Sequence, residues 1–287
     1  MIRENTLKRM LMQEGFVIAP GAYDALTAKI IEAQGFHAVY MTGFGTSVAS
    51  FGLPDLGFLT LTEMVQQAAR IADAVEIPVI ADADTGYGNP MNVVRTVREY
   101  EKAGVAAIHI EDQQWPKRCG HMNGKKVIDM EDMAAKIMAA ADARQNPDLL
   151  IIARTDSLAV EGFDKAMERA RRYSEAGADI LFIEALETRE QMSAVPRLFP
   201  ETPLLINMAP LTPNLSMEEL KSMGYSLVIL PGLCLVAAIA ACNEEVQRFK
   251  GSGRQRDFSE MKQSFHELNG WLKAPYYMSL EQKYKSR

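Results

Sequence analysis

The chain has 287 residues, of which 48% are hydrophobic and 24% charged, and its formal net charge is −6. This length is typical of a single α/β barrel. The acidic balance argues against nucleic acid or an anionic membrane as the main partner. Three cysteines are too few for a disulfide framework or a cysteine-rich zinc site. The first fifteen residues are too charged for a secretory signal, so we expect a cytoplasmic protein.

Short apolar or β-branched runs recur along the whole chain, and helical patterns lie between them. The predicted strands are Phe16–Pro20, Ala38–Thr42, Val79–Asp84, Ala107–Asp112, Leu149–Asp156, Ile180–Ala185, Leu204–Met208 and Leu227–Pro231. Three predicted helices, Asp24–Gln34, Asn92–Lys102 and Asp164–Glu175, are followed by Gly35, Gly104 and Gly177. Glycine is a common residue just after a helix, which supports these boundaries.

Eight strands that alternate with helices predict the α/β class and a (β/α)8 barrel of the TIM type. We place this barrel, with the catalytic site, in residues 1–250. Residues 251–287 are predicted to form a helical tail that packs on the barrel or on a neighbouring subunit. The alternative is an open doubly wound sheet. It is disfavoured because no Gly-x-Gly-x-x-Gly motif follows the first strand, and because polar residues stand at many strand ends rather than at one crevice.

Polar or charged residues stand at most of the predicted strand ends from the second strand onward. They are Thr42, Asp82, Asp84, Glu111, Asp112, Arg154, Asp156, Glu184 and Asn207. Barrel enzymes build their active sites at the carboxyl ends of the strands. Any one of these residues could merely cap the next helix. Buried charges are costly unless they are paired or bind a metal, so the whole set indicates an active site.

Three of these carboxylates predict a metal site. Asp82 and Asp84 are two residues apart on a predicted strand and should therefore point to one face, and Glu111 ends the next strand. A site made of oxygen ligands suits Mg²⁺, or Mn²⁺, better than zinc. The alternative is that lysine or arginine neutralises these carboxylates. His37 and His109 lie in apolar, strand-like context and are interpreted as core residues.

A glycine-containing segment, residues 113–121, follows the fourth predicted strand and is interpreted as a mobile loop. Its cysteine, Cys119, is flanked in sequence by Lys117, Arg118 and His121. Nearby positive charge lowers the pKa of a thiol, so we predict a low pKa for Cys119. Such a group above a metal site can act as a general acid or base. Lys117 and His121 are counted with Cys119 as candidate catalytic residues.

At these positions the sequence resembles the isocitrate lyase/phosphoenolpyruvate mutase superfamily, over about residues 21–236. The resemblance rests on Gly21-Ala-Tyr-Asp-Ala25, Thr42-Gly-Phe-Gly-Thr-Ser47, Gly52-Leu-Pro-Asp-Leu-Gly57, Asp82-Ala-Asp-Thr-Gly-Tyr-Gly88, Ile110-Glu-Asp-Gln113, Lys117-Arg-Cys-Gly-His121 and Ala153-Arg-Thr-Asp156. The Lys-Arg-Cys-Gly-His motif is typical of the lyase branch of this superfamily.

The resemblance implies a role for each matching residue. Asp84 would hold Mg²⁺ directly or through water, and Asp55, Asp82 and Glu111 would order the water around the metal. The remaining implied roles are contacts to the α-keto-acid half of the substrate (Tyr40, Thr42, Gly43, Phe44), contact to its carboxylate (Arg154), contact to its distal part (the loop that begins at Asn207) and proton donation from a gating loop (Cys119). The family also exchanges its last barrel helix between subunits and assembles as a dimer of dimers.

Two features differ from the tricarboxylate lyases of the family. Phe44 stands where they carry glycine, which narrows the pocket. The loop Asn207–Pro213 is shorter than theirs and lacks an acidic residue. Both differences favour a small diacid.

The first hypothesis is a Mg²⁺-dependent carbon–carbon lyase. It would cleave a small 2-hydroxy di- or tricarboxylate, such as a substituted malate or 2-methylisocitrate, to an α-keto acid and a carboxylic acid through an enolate or aci-carboxylate. The base would be Tyr40 or a metal-bound water. The alternatives are phosphorus–carbon bond chemistry of the carboxyvinyl-carboxyphosphonate phosphorylmutase type, hydrolysis of oxaloacetate, and a barrel that binds Mg²⁺ and a keto acid without catalysis.

Overall fold

The strands of this protein close into a barrel of eight parallel strands, in a computed structural model that describes residues 6–257 and 265–285. The strands are β1 (Val17–Ala22), β2 (Val39–Met41), β3 (Val79–Asp82), β4 (Ala107–Glu111), β5 (Leu150–Thr155), β6 (Ile180–Ile183), β7 (Leu204–Asn207) and β8 (Leu227–Leu230). Each strand pairs with the next in the chain, and β8 pairs with β1. The predicted barrel is therefore confirmed.

Helices precede the first strand, connect successive strands and follow the last one. They are α1 (Thr6–Gln13), α2 (Ala25–Ala33), α3 (Gly43–Phe51), α4 (Leu61–Ala74), α5 (Pro90–Lys102), α6 (Met130–Ala143), α7 (Leu158–Glu161), α8 (Phe163–Glu175), α9 (Arg189–Leu198), α10 (Met217–Met223), α11 (Leu233–Ser252), α12 (Phe265–Trp271) and α13 (Ala274–Lys285). Side-chain caps fix several of their starts. Thr60 and Glu63 form a capping box at the start of α4, and Asn89 caps α5 with Pro90 at its first position.

The chain divides into two compact units, Met1–Leu235 and Val236–Arg287. The first contains the eight strands. The second contains most of α11 together with α12 and α13, and many of its large apolar side chains are exposed, among them Ile239, Val246 and Tyr276. Part of the predicted tail, residues 258–264 and 286–287, lies outside the described residues. Within the described ranges, no helix is both long and apolar enough to cross a membrane.

Two apolar clusters hold the barrel together. One fills the interior with side chains such as Ile80, Ile152 and Phe182, and the other lies between the strands and the surrounding helices. Helix α1 packs against the interior cluster through Leu7, which is fully buried. At ~25 cal/mol per Å² of buried apolar surface, these layers provide the main stabilisation of the fold.

Strand register brings the predicted site residues side by side. Asp82 pairs with His109, and Glu111 pairs with Arg154. The predicted strand Val79–Asp84 is wrong at its end. Strand β3 ends at Asp82, and Asp84 follows it with a φ of 45°, so alternation along a strand does not bring the two carboxylates together. Instead a tight turn does so, in which the Asp84 amide donates to Asp82 Oδ1 at 2.9 Å.

Candidate active site

Four buried carboxylates and one lysine form the centre of the site. Lys117 Nζ lies 2.5 Å from Asp55 Oδ1 and 2.9 Å from Asp84 Oδ1. Burial, with Asp82 and Asp55 nearby, raises the pKa of Asp84 to about 6, although Lys117 opposes this shift. Burial also raises the pKa of Glu111 well above its usual value, although Arg154 and Lys117 oppose the shift. The protein alone therefore leaves part of the negative charge here uncompensated.

This charge surplus fits a divalent cation. Glu111 is fully buried, and among residues 6–257 and 265–285 no group makes an aligned hydrogen bond to either of its carboxylate oxygens. Asp84 Oδ1 likewise accepts no aligned hydrogen bond within that part of the chain, where its contact is the ion pair with Lys117. Within the described ranges, no three acidic, histidine or cysteine side chains form a ready-made metal cluster; the Lys117 ammonium group lies among these carboxylates. The donor set of oxygens alone suits Mg²⁺ or Mn²⁺.

Tyr40 and His109 lie beside Asp82 at the centre of the barrel. The Tyr40 hydroxyl is 2.8 Å from His109 Nε2 and donates to Asp82 Oδ2 at 3.5 Å. His109 Nε2 is also 3.4 Å from Asp82 Oδ1. Burial raises the pKa of Tyr40 well above its usual value and lowers the pKa of His109. His109 is buried, as expected of a core residue, but it also contacts the site, which the apolar sequence around it concealed.

The segment predicted to contact the keto acid forms the start of α3. Thr42 caps this helix by accepting a hydrogen bond from the Gly45 amide at 3.1 Å. The Gly43 amide donates to Asp82 Oδ2 at 3.2 Å. A Cβ at Gly43 would collide with that carboxylate, so any other residue there would displace Asp82. Phe44 is half-buried. The helix N-terminus therefore presents backbone N–H groups to the site.

Arg154 is surrounded by acidic side chains. Its guanidinium makes two hydrogen bonds to Asp156, at 2.9 and 3.0 Å, and lies 3.1 Å from Glu111 Oε2 and 3.5 Å from Glu184 Oε2. The ring of Phe182 supports it from below, with 5.2 Å between the guanidinium carbon and the ring centre. These contacts fix both the position and the charge of Arg154.

The segment 117–125 lies directly against these groups. Gly120 packs so closely that a Cβ would come within 2.5 Å of Arg154 Nη2 and 2.6 Å of Glu184. Lys125 Nζ donates to the Gly120 carbonyl oxygen and forms an ion pair with Asp156 at 3.1 Å. We refer to residues 117–125 as the gating segment. The site is covered when this segment has the observed conformation.

The prediction of a low thiol pKa for Cys119 was wrong. Burial raises the pKa of Cys119, and the carboxylates of Asp55 and Glu184 raise it further. The basic residues beside it in sequence point elsewhere: Lys117 pairs with acids, and Arg118 Nη1 donates to the Asn123 carbonyl. Cys119 therefore carries a protonated thiol.

His121, Glu184 and Asn207 form a second polar group beside the gating segment. His121 Nε2 is 2.9 Å from Glu184 Oε1, and Asn207 Nδ2 donates to both Glu184 oxygens at 3.1 and 3.2 Å. His121 Nδ1 accepts from the Leu211 amide at 3.3 Å. The gating segment is thus joined to the loop after β7. The sequence identifies Glu184 as a polar residue at the end of the sixth strand, and that location is the signal that marks it as a site residue.

Asp112, which the sequence places among the polar strand ends without assigning it a role, is a buried hub. Its carboxylate accepts hydrogen bonds from the Thr155 hydroxyl at 2.7 Å, from the Tyr173 hydroxyl at 2.9 Å and from the Asp156 amide at 2.9 Å. Asp156 in turn holds Arg154. Asp112 therefore connects α8 to the site arginine, and its own amide donates to the Arg154 carbonyl at 3.2 Å.

These features define a barrel enzyme with an acidic, metal-suited site at the carboxyl end of its strands. The family model described as phosphoenolpyruvate phosphomutase matches residues 7–250. The chain belongs to this family, the phosphoenolpyruvate mutase/isocitrate lyase superfamily, as the sequence motifs indicated, and it is an enzyme of the carbon–carbon lyase class.

Named relatives cover nearly the whole chain. The 2,3-dimethylmalate lyase of Eubacterium barkeri is 45% identical over 97% of this chain and 96% of its own length. The 2-methylisocitrate lyase of Aeropyrum pernix is 43% identical over 92% of this chain and 86% of its own length. A crystal structure of 2,3-dimethylmalate lyase superimposes with a TM-score of 0.92 at 40% identity, covering 97% of this chain and 94% of that one.

Proposed function

We propose that this enzyme is a Mg²⁺-dependent lyase that cleaves the C2–C3 bond of a small 2-hydroxy dicarboxylate of the substituted-malate type. The products are an α-keto acid and a carboxylic acid. One observation carries the proposal: the carboxylates of Asp55, Asp82, Asp84 and Glu111 converge beside Arg154 under a segment that bears a thiol. The names of the two lyase relatives support it.

The residues divide the reaction among them. Asp84, with Asp55, Asp82 and Glu111, would hold Mg²⁺, which when bound supplies positive charge to the substrate's carboxylate and hydroxyl oxygens. Arg154 binds a substrate carboxylate through an exchange with one of its present acidic partners. The Gly43 amide, at the start of α3, already donates to Asp82 Oδ2 and so holds that carboxylate in place beside the same region.

Bond cleavage and proton transfers then balance. The substrate hydroxyl gives its proton to the Tyr40 oxygen while Tyr40 passes its own proton to Asp82 Oδ2. The C2–C3 electrons move to the departing carboxylic acid as an aci-carboxylate, and C2 becomes the keto carbon. Cys119 gives its thiol proton to the carbanion carbon. For the first transfer, the Tyr40 hydroxyl would form a hydrogen bond with the substrate hydroxyl oxygen. The gating segment excludes water, which would otherwise protonate the carbanion without control.

The preference for a small diacid rests on the distal side of the site. The loop after β7, from Met208 to Pro213, carries no charged side chain, and it lies against His121 through the Leu211 amide. A third substrate carboxylate placed there would lose water without gaining a cationic partner, at a cost on the order of several kcal/mol. Phe44 further reduces the space beside the keto-acid position.

A substrate panel tests this assignment. Keto-acid release is measured at saturating Mg²⁺ with 2,3-dimethylmalate, other alkylmalates, 2-methylisocitrate, oxaloacetate and carboxyphosphonoenolpyruvate. We expect kcat/KM for a substituted malate to exceed that for 2-methylisocitrate at least tenfold. Equal or higher kcat/KM for 2-methylisocitrate contradicts the size argument, and turnover of only the phosphonate or only oxaloacetate contradicts the lyase proposal.

The metal assignment has its own test. Asp84→Ala should abolish turnover and keep the wild-type melting temperature, because it removes one of several mutually repelling carboxylates. Asp73→Ala, an exposed acid on α4, is the matched control and should keep full activity. Full turnover by the Asp84 variant, or by the wild type in excess chelator, refutes metal dependence.

We further propose that the protein acts in the cytoplasm as a homo-oligomer, a dimer of dimers that exchanges the last barrel helix. The exposed apolar side chains of residues 236–257 and 265–285 support this assembly. Light scattering coupled to size-exclusion chromatography should give the mass of a tetramer. A monomeric mass at micromolar concentration would contradict it.

A further inference from the structure

A cavity of about 740 Å³ lies beside the active site and is separate from it. Its walls come from the loop after α3, the loop after β3, the start of α5, the segment after β4 and α6. None of the proposed catalytic, substrate-binding or metal-binding residues lines it. The proposed reaction therefore leaves this cavity without a role.

The walls combine aromatic rings. Phe58, Tyr87 and Trp115 line the cavity, and the rings of Tyr87 and Trp115 are 6.4 Å apart and inclined at 57°. Phe58 is 56% exposed and Trp115 45% exposed, which is unusual for such large apolar side chains. Concave sites with aromatic walls and a few polar groups are typical of small-molecule binding.

The polar groups carry a surplus of positive charge. Arg95 and Lys136 line the cavity, and Asp132 is the acidic residue among the lining side chains described. Lys136 is buried and donates to the Thr85 carbonyl at 3.0 Å, which leaves two of its three N–H groups available. Arg95 is exposed, and within residues 6–257 and 265–285 it makes no ion pair or hydrogen bond. The Thr85 hydroxyl is buried and has no partner among those residues either.

The cavity also borders residues 113–116, the stem that leads into the gating segment. The Gln113 side chain lines the cavity and holds the Arg118 backbone on both sides, accepting from its amide at 2.9 Å and donating to its carbonyl at 2.8 Å. Trp115 lies two residues before Lys117 and packs against Gly57. A Cβ added to Gly57 would lie 3.4 Å from the Trp115 ring. A molecule in contact with Gln113 and Trp115 therefore presses on the stem without entering the active site.

We propose that this cavity is a binding site for a small organic anion with a ring-sized apolar body, whose occupancy stiffens the gating segment. The ring lies against Tyr87 and Trp115, and the anionic group lies between Arg95 and Lys136.

The two tryptophans of the chain make the site directly observable. In the Trp271→Phe variant, Trp115 is the one tryptophan left, so indole fluorescence reports on this cavity alone. The probe is 4-bromobenzoate, because bromine quenches an indole in contact with it. We expect saturable quenching with 4-bromobenzoate and none in the same range with the neutral 4-bromobenzyl alcohol. Calorimetric titration of the wild-type protein measures the same binding without the substitution. Absence of saturable binding in both experiments overturns the proposal.

Arginine variants locate the anionic group. Arg95→Gln should weaken 4-bromobenzoate binding at least fivefold, because it removes a charged hydrogen-bond donor. Arg98→Gln, one turn further along α5 and outside the cavity, should bind within twofold of the wild type. Equal affinity in the two variants, or binding of the neutral alcohol as tight as that of the acid, overturns the assigned chemistry.

Hydrogen exchange tests the connection to the gating segment. With 4-bromobenzoate bound, backbone amides in the gating segment, residues 117–125, should exchange at least threefold more slowly in the wild type and remain unchanged in Arg95→Gln. Unchanged exchange in the wild type overturns the link to gating. Neither readout requires turnover, so both outcomes are independent of the lyase assignment.

Discussion

The Tyr173 hydroxyl reaches the Arg154 guanidinium indirectly, through Asp112 and Asp156, yet its removal should reduce catalysis. Tyr173→Phe deletes one oxygen, which donates to Asp112 Oδ2 at 2.9 Å and accepts from Arg169 Nη1 at 3.1 Å. Asp112 keeps its bonds to Thr155 and to the Asp156 amide. The variant therefore loosens the hub without leaving its carboxylate unpartnered.

The size of the effect follows from the kind of bond lost. A hydrogen bond to a charged group contributes about 1.5–3 kcal/mol, so Tyr173→Phe should lower the free energy of unfolding by about 2 kcal/mol. Because the hub holds Asp156, and Asp156 holds Arg154, the guanidinium should lose precision as well. Misplacement by ~1 Å costs about 100-fold in rate, so a fraction of that shift should lower kcat/KM about tenfold.

Tyr225→Phe is the matched control. Tyr225 is also buried, and its hydroxyl donates to the neutral Met192 carbonyl at 3.0 Å, away from the site. It should lose about 1 kcal/mol of stability and keep kcat/KM within twofold. Urea unfolding and steady-state kinetics on both variants decide the matter. Equal losses of kcat/KM in the two variants, or full activity in Tyr173→Phe despite its lower stability, would show that the hub serves stability alone.

Three further changes probe the site. Cys119→Ser should lower kcat by several orders of magnitude with little change in KM, because a serine hydroxyl is a much weaker acid; near-normal kcat would remove Cys119 from proton transfer. Gly120→Ala should lower kcat/KM at least tenfold, because its Cβ collides with Arg154, whereas Gly251→Ala meets open space and should be neutral in the same assay. Burial raises the pKa of Glu184, but the Arg154 charge, a hydrogen bond from His121 and the Lys125 charge outweigh burial and bring it to about 2. Since this pKa lies below the unfolded value, Glu184 stabilises the fold above about pH 5 and loses that contribution as pH falls toward 2, so the melting-temperature gap between wild type and Glu184→Gln should narrow over that range; a constant gap would refute it.

Sequence patterns predicted the fold well because each strand is short, apolar and followed by a polar residue. The predicted strands ended at Asp84, Asp112 and Asp156, one or two residues beyond the observed ends at Asp82, Glu111 and Thr155. Two particulars needed three-dimensional information. The positive φ of Asp84 comes from a turn that alternation cannot reveal. The pKa of Cys119 was misjudged because neighbours in sequence were treated as neighbours in space.

The same limit explains the overlooked hub. Asp112 reads as one more acid after a strand, and its partners Thr155 and Tyr173 come from positions 43 and 61 residues away. Only the pairing of β4 with β5 and the return of α8 bring them together. Networks of this kind depend on contacts distant in sequence, which local patterns do not encode.

The close packing of Gly43 on Asp82 also determines where this enzyme can evolve. Every substitution at position 43 adds a Cβ that must displace the Asp82 carboxylate, so we expect that position to tolerate no change. The next residue, Phe44, already carries a large side chain. New substrate ranges should therefore arise through residue 44, and a saturation library there should yield active clones where one at residue 43 yields the parent glycine alone.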